Sequence, residues 1–144
     1  MQTRIKQVLA RKGHEVHSVS CDVSISQAAR KMAELEIGAV LVQSDAQVVG
    51  ILTERDLAWR VCLGEFDPAV TPVEQVMTSP VAYVTPETTV AEAMKVMSET
   101  HCRHLPVFAD GDLVGVISLG DLVRWLTADL EENIRYLEGY ILRG

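Results

Sequence analysis

The sequence predicts an α/β (α+β) architecture, two copies of one β-α-β-β-α unit packed as a pseudo-twofold pair with an extra C-terminal helix. Three features carry that prediction. The chain matches itself without a gap when shifted by 65 residues, so that Val19 to Val61 lies over Val84 to Leu126. Identities include Ala28/Ala93, Met32/Met97, Val42/Val107, Asp45/Asp110, Gly50/Gly115, Asp56/Asp121 and Leu57/Leu122. Each copy then holds one apolar pattern at helical spacing and, after it, two short apolar runs joined by turn residues. Only two copies are present, which points to a paired domain rather than a solenoid.

Taken in order, residues 1–13 form a basic N-terminal segment carrying Arg4, Lys6, Arg11 and Lys12, and residues 14–64 the first motif. That motif opens on an extended stretch, Glu15–Val19. Ser24 and Gln27 have capping-box spacing and start a helix whose apolar face is Ile25, Ala28, Ala29, Met32 and Leu35. Ala39–Gln43 and Val48–Leu52 are apolar strands joined by Ser44-Asp45-Ala46, and a second helix opens at Thr53. Residues 65–78, rich in proline up to Pro80, connect to the second motif at 79–127. There the same order recurs: extended Pro80–Val84, a helix capped by Thr89 with Glu92, strands Leu105–Phe108 and Leu113–Ile117 around Asp110-Gly111-Asp112, and a helix from Ser118. Residues 128–144 read as an amphipathic helix, with Leu130, Ile134, Leu137 and Ile141 on one narrow stripe. That stripe suits either the domain's own core or a second subunit.

Composition narrows the function classes. A net charge of −7 leaves no excess basic surface for nonspecific nucleic-acid or anionic-membrane binding. No apolar run reaches the roughly 18 residues of a membrane span, and the N-terminus lacks a signal-peptide core. Cys21, Cys62 and Cys102 are odd in number and show no CxxC spacing, which fits reduced thiols in the cytoplasm.

The residues with chemical content sit at the two strand-to-helix junctions, Gly50-Ile51-Leu52-Thr53-Glu54-Arg55-Asp56 and Gly115-Val116-Ile117-Ser118-Leu119-Gly120-Asp121. A helix N-terminus offers unpaired N–H groups and partial positive charge to a phosphate. A carboxylate one turn in can accept both hydroxyls of a ribose. The same Thr53-x-x-Asp56 and Ser118-x-x-Asp121 pairs also serve as plain helix caps.

Both junctions resemble the G-h-h-[ST]-x-x-D pattern of the CBS family, where h is apolar. Cys102-Arg103-His104-Leu105-Pro106-Val107 is similar to the family's strand entry, and Val76-Met77-Thr78-Ser79-Pro80 to the segment that introduces a CBS motif. The resemblance covers about Leu9 to Leu126. It implies clefts for adenosine-containing ligands: AMP first, then ATP, ADP or NAD(H), and less readily S-adenosylmethionine. By position, Asp56 and Asp121 would hold ribose, Thr53 and Ser118 would lie near ribose or phosphate, and Ile51 and Val116 would touch the base. Val16, His17, Val81 and Ala82 would line the adenine end. Arg103, with His104 beside it, would reach a phosphate. Family members often combine the Asp of one motif with the strand entry of the other, so Arg55 and Arg103 are expected at the Asp56 cleft and Gly120 and Gly38 at the Asp121 cleft. The expectation is one phosphate-adapted cleft and one with little side-chain positive charge.

The remaining polar residues add no catalytic set. In an extended segment His101 and His104 would point to opposite faces, and no ligand spacing for zinc accompanies them, so no metal is expected. No nucleophile–base pair, G-x-G-x-x-G or P-loop occurs, so the chain reads as a non-enzyme without a catalytic cofactor. The expected function is a cytoplasmic regulatory module, homodimeric or acting on a protein target. The alternative is a constitutive dimeric scaffold with unused clefts.

Overall fold

The computed structural model describes residues 2–143, with side chains through residue 141. Met1 and Gly144, at the ends of the first and last predicted segments, lie outside the described residues. The elements are α1 (Ile5–Lys12), β1 (Ser18–Ser20), α2 (Ile25–Leu35), β2 (Ala39–Ser44), β3 (Gln47–Thr53), α3 (Glu54–Asp56), α4 (Val90–Thr100), β4 (His104–Ala109), β5 (Asp112–Ser118) and α5 (Leu119–Arg143). They form two units, one spanning Val16–Val81 and the other joining Met1–Glu15 to Ala82–Gly144.

In the first-repeat unit β1 runs parallel to β2, and β2 pairs antiparallel with β3. Helix α2 starts where its capping box predicts. The Ser24 hydroxyl accepts the Gln27 N–H at 3.2 Å and the Gln27 side chain accepts the Ser24 N–H at 3.0 Å, which satisfies donors the helix would otherwise leave bare. The hairpin closes in two residues, Asp45 and Ala46, both left-handed at φ 49° and 66°, as a turn matched to strand twist requires. Ile25, Ala28 and Met32 pack on Val40, Val42 and Leu52, and the connector closes this core with Val73 and Val76. After α3 the chain makes a π turn, Leu57–Val61, and leaves the helix.

The second-repeat unit repeats much of this. Thr89 and Glu92 cap α4 reciprocally at 3.1 and 3.0 Å, and β4–β5 turn through Asp110 and Gly111, φ 51° and 82°. A bulge falls at the equivalent place in both hairpins, after Val42 and after Val107. The core is Val90, Ala93, Met97, Leu105, Val107, Ile117 and Leu122, completed by Ile5, Val8 and Leu9 of α1.

Three features depart from the sequence expectation. The stretch Pro80–Val84 is not a strand; only Val84 bridges β4, at Val107. In the first repeat the Leu41 N–H donates to His17 O at 3.1 Å. Pro106 stands at the Leu41 position and has no N–H to give, so the ladder cannot extend. Second, α1 is a helix whose apolar face is fully buried, a role readable in the 5, 8, 9 spacing. Third, the helix of the second motif and the predicted C-terminal helix are one element, α5, because no proline interrupts it and Gly139 alone does not stop a helix.

Paired carboxylate turns as the candidate ligand site

At the end of β3, Thr53 caps α3. Its Oγ1 accepts the Asp56 N–H at 3.2 Å, and Asp56 Oδ2 accepts the Thr53 N–H at 3.0 Å. The second repeat reproduces this: Ser118 Oγ accepts the Asp121 N–H at 3.1 Å, and Asp121 Oδ2 accepts the Ser118 N–H at 2.8 Å. Both carboxylates are buried. The preceding glycines are fixed by packing. A Cβ on Gly115 would stand 2.8 Å from Leu9 Cδ2, and one on Gly50 would overlap the Met77 thioether.

What completes each carboxylate differs. Asp56 Oδ1 accepts the Thr78 hydroxyl at 2.9 Å, with Arg60 Nε at 3.7 Å. Asp121 meets two cations. Lys12 Nζ lies 2.6 Å from its Oδ2 and also donates to Val116 O at 2.6 Å, while Arg124 Nη2 lies 2.5 Å from Oδ1. Burial pushes the Asp121 carboxyl up, but Lys12 and the Ser118 N–H and hydroxyl outweigh it and hold the group below its usual range.

A family model for the CBS domain matches residues 5–61 and again 73–128. The chain is a tandem pair of CBS domains. It is 38% identical over 128 residues to an uncharacterised 17.7 kDa protein of Acidianus ambivalens, covering 88% of this chain and 74% of that one. It is 30% identical to the mitochondrial CBS domain-containing protein CBSX3 of Arabidopsis thaliana, covering 99% and 73%. Among solved structures, a candidate signal-transduction protein with CBS domains from Burkholderia ambifaria superposes at a TM-score of 0.85. It is 41% identical, over 88% of this chain and 96% of that one.

Each CBS match starts on residues that pack into the other unit. The first begins at Ile5, yet Ile5, Val8 and Leu9 belong to the second-repeat core; the second begins at Val73, yet Val73 and Val76 belong to the first-repeat core. The leading segments are exchanged, which explains how Thr78 reaches Asp56 and Lys12 reaches Asp121.

Of the residues singled out in the sequence, Val16, His17, Ile51, Thr53, Arg55, Asp56 and Val81 fall in the first-repeat unit. Ala82, Arg103, His104, Val116, Ser118 and Asp121 fall in the second. Within each unit the hydroxyl and carboxylate of the CBS motif meet directly. Ile51 is buried and Val116 half-buried, while Arg55 and Arg103 are exposed. The Arg55 guanidinium stacks over the Trp59 ring at 4.1 Å.

The expectation of little positive charge around Asp121 is overturned, since Lys12 and Arg124 both touch it. Arg124 was legible as an i,i+3 partner; Lys12 arrives from 109 residues away and left no local signal. His101 is not in an extended segment either. It caps α4 in a left-handed conformation, φ 54°, three residues before β4 begins. Among the described residues no helix is long and apolar enough to cross a membrane.

Proposed function

We propose that this CBS pair is a cytoplasmic, non-catalytic regulatory module that binds an adenine nucleotide at the Asp56 turn. AMP is the first candidate, then ATP, ADP or NAD(H). Occupancy would be signalled through a homodimer or a protein target. The observation that carries this reading is the Asp56 carboxylate itself, buried at a helix N-terminus and hydrogen-bonded by the neutral Thr53 and Thr78 hydroxyls, with the Arg60 guanidinium farther off at 3.7 Å. Three of its about four acceptor sites take the Thr53 N–H and the Thr53 and Thr78 hydroxyls. One ribose hydroxyl would use the site left and the other would displace one of those hydroxyls, while Arg55 stands one residue away to meet phosphate. At Asp121 a ribose would compete with Lys12 and Arg124, so this turn is the weaker ligand.

A second reading, a dimeric scaffold, is favoured by one fact: both carboxylates are already paired within the chain. A thermal-shift titration with AMP, ADP, ATP, NAD, NADH and S-adenosylmethionine separates the two. A ligand at about 100 times its dissociation constant stabilises by roughly 2.7 kcal/mol, a shift of several degrees. We expect that shift with one adenine nucleotide, abolished in Asp56→Ala and kept in Asp121→Ala. Absence of a shift with all six returns the chain to the scaffold reading.

A further inference from the structure

Helix α5 runs far beyond the core it helps to close. Leu122 is buried, but Val123, Leu130, Ile134, Leu137 and Ile141 are 48%, 60%, 46%, 57% and 74% exposed. These five side chains, with Thr127, fall on one stripe in a 4-3 rhythm. In heptad terms Val123, Leu130 and Leu137 occupy d, and Thr127, Ile134 and Ile141 occupy a. Every a residue is β-branched, and d carries leucine twice, a choice that within a parallel coiled coil favours two strands over three or four. At about 100° per residue, Val123 lies a little over a quarter turn round the helix from Leu122, so the stripe runs beside the core contact and stays outside it.

We propose that this stripe is the seam of a parallel, in-register two-stranded coiled coil with a second copy of the chain. The flanking charges choose the occupant and its direction. Arg124, Glu131 and Glu138 stand at e, and Leu126, Asn133 and Tyr140 at g. A parallel pair sets g of one helix against e of the next heptad in the other. Asn133 then faces Glu138 as an amide donor to a carboxylate, and no like charges meet. An antiparallel pair sets e against e and brings Glu131 and Glu138 into like-charge contact. An anionic lipid surface is disfavoured by the same acids together with Asp129 and Glu132, since such a face is ordinarily rich in lysine and arginine. The proposal stands apart from the nucleotide reading: it concerns which face pairs, whatever the turns bind.

The test uses the full chain in a Cys62→Ser background, because Cys62 is exposed. Thiols placed at Ile134→Cys meet across a parallel seam, whereas Glu132→Cys, at f, points away. With oxidised glutathione, Ile134→Cys should form covalent dimer at least about tenfold faster than Glu132→Cys, as expected for thiols held at a high effective concentration. Sedimentation equilibrium should give a dimer for the parent and a monomer for Leu130→Glu/Leu137→Glu. Both of those side chains are exposed, so the double variant should keep the parent's helical circular dichroism. A monomeric parent, or equal cross-linking at 132 and 134, overturns the proposal. So does a dimer that survives Leu130→Glu/Leu137→Glu, although that result leaves a homodimer through another face intact. Flotation of the parent, and not the double variant, with phosphatidylglycerol vesicles would assign the stripe to a membrane surface and also overturn it.

Discussion

Replacing Lys12 by methionine keeps the length and most of the apolar stem of the side chain but removes its charge. The ammonium makes two bonds at 2.6 Å, to Asp121 Oδ2 and Val116 O. Charge-assisted bonds are worth about 1.5–3 kcal/mol each. That figure must be discounted here, because the Lys12 side chain is 33% exposed and Arg124 remains to pair Asp121. A loss of about 2 kcal/mol follows, between the cost of breaking a buried pair and that of an exposed one. For a chain of this length that is a fall in Tm on the order of 6–8 °C. The pH dependence is fixed by sign. The folded carboxyl of Asp121 lies below its unfolded value, so its stabilisation is complete above about pH 4 and disappears as pH falls through the lower folded value. The Lys12→Met deficit, measured by urea denaturation, should therefore be full at pH 7 and shrink toward pH 3. In an Asp121→Asn background it should drop by at least about 1 kcal/mol, the coupling expected of a charged pair in contact. A deficit below about 0.5 kcal/mol at pH 7, the size of an ordinary surface substitution, would refute the reasoning. So would a deficit unchanged between pH 7 and pH 3.

Two further substitutions probe the turns and the exchanged segments by urea denaturation. Gly115→Ala drives a methyl to 2.8 Å from Leu9 and should cost about 1–3 kcal/mol. Leu9→Ala should recover part of that loss when combined with it, whereas Gly50→Ala should cost less because the Met77 thioether can swing aside. Ala46→Gly removes a Cβ from a left-handed turn position at φ 66°. It should stabilise the chain by about 0.5–1 kcal/mol after the added unfolded-state entropy is subtracted; a loss would show that the turn is not strained.

The hairpins and the two capped helices were legible because their signals are local. Ser24 with Gln27, Thr89 with Glu92, and Asp110-Gly111 each settle their own few residues. The hydroxyl–carboxylate pairing at Thr53–Asp56 and Ser118–Asp121 was legible for the same reason, as the reciprocal geometry of a helix cap. The partners Thr78 and Lys12 were not, since they reach their carboxylates through tertiary packing. The self-match of Val19–Val61 with Val84–Leu126 leaves residues 1–13 and 65–78 outside both copies, and only the structure shows that Ile5–Leu9 bury their faces in the second-repeat core and Val73–Val76 in the first. The missing strand at Pro80–Val84 turns on a single residue, Pro106, whose consequence appears only once its neighbour across the sheet is known.

That exchange of leading segments gives the chain a direction in time. A ribosome releases Val16–Val81 as one continuous stretch, so the first-repeat unit has every residue of its core once Val76 has emerged. The other unit is discontinuous in sequence. Helix α1 is made first, yet the surface that covers Ile5, Val8 and Leu9 is completed only when β5 and Leu122 follow, more than a hundred residues later. Domains generally fold as units during synthesis, so the N-terminal helix must wait with its apolar face uncovered until the final third of the chain arrives. A protein cut between its repeats would yield two fragments, each carrying the piece the other needs.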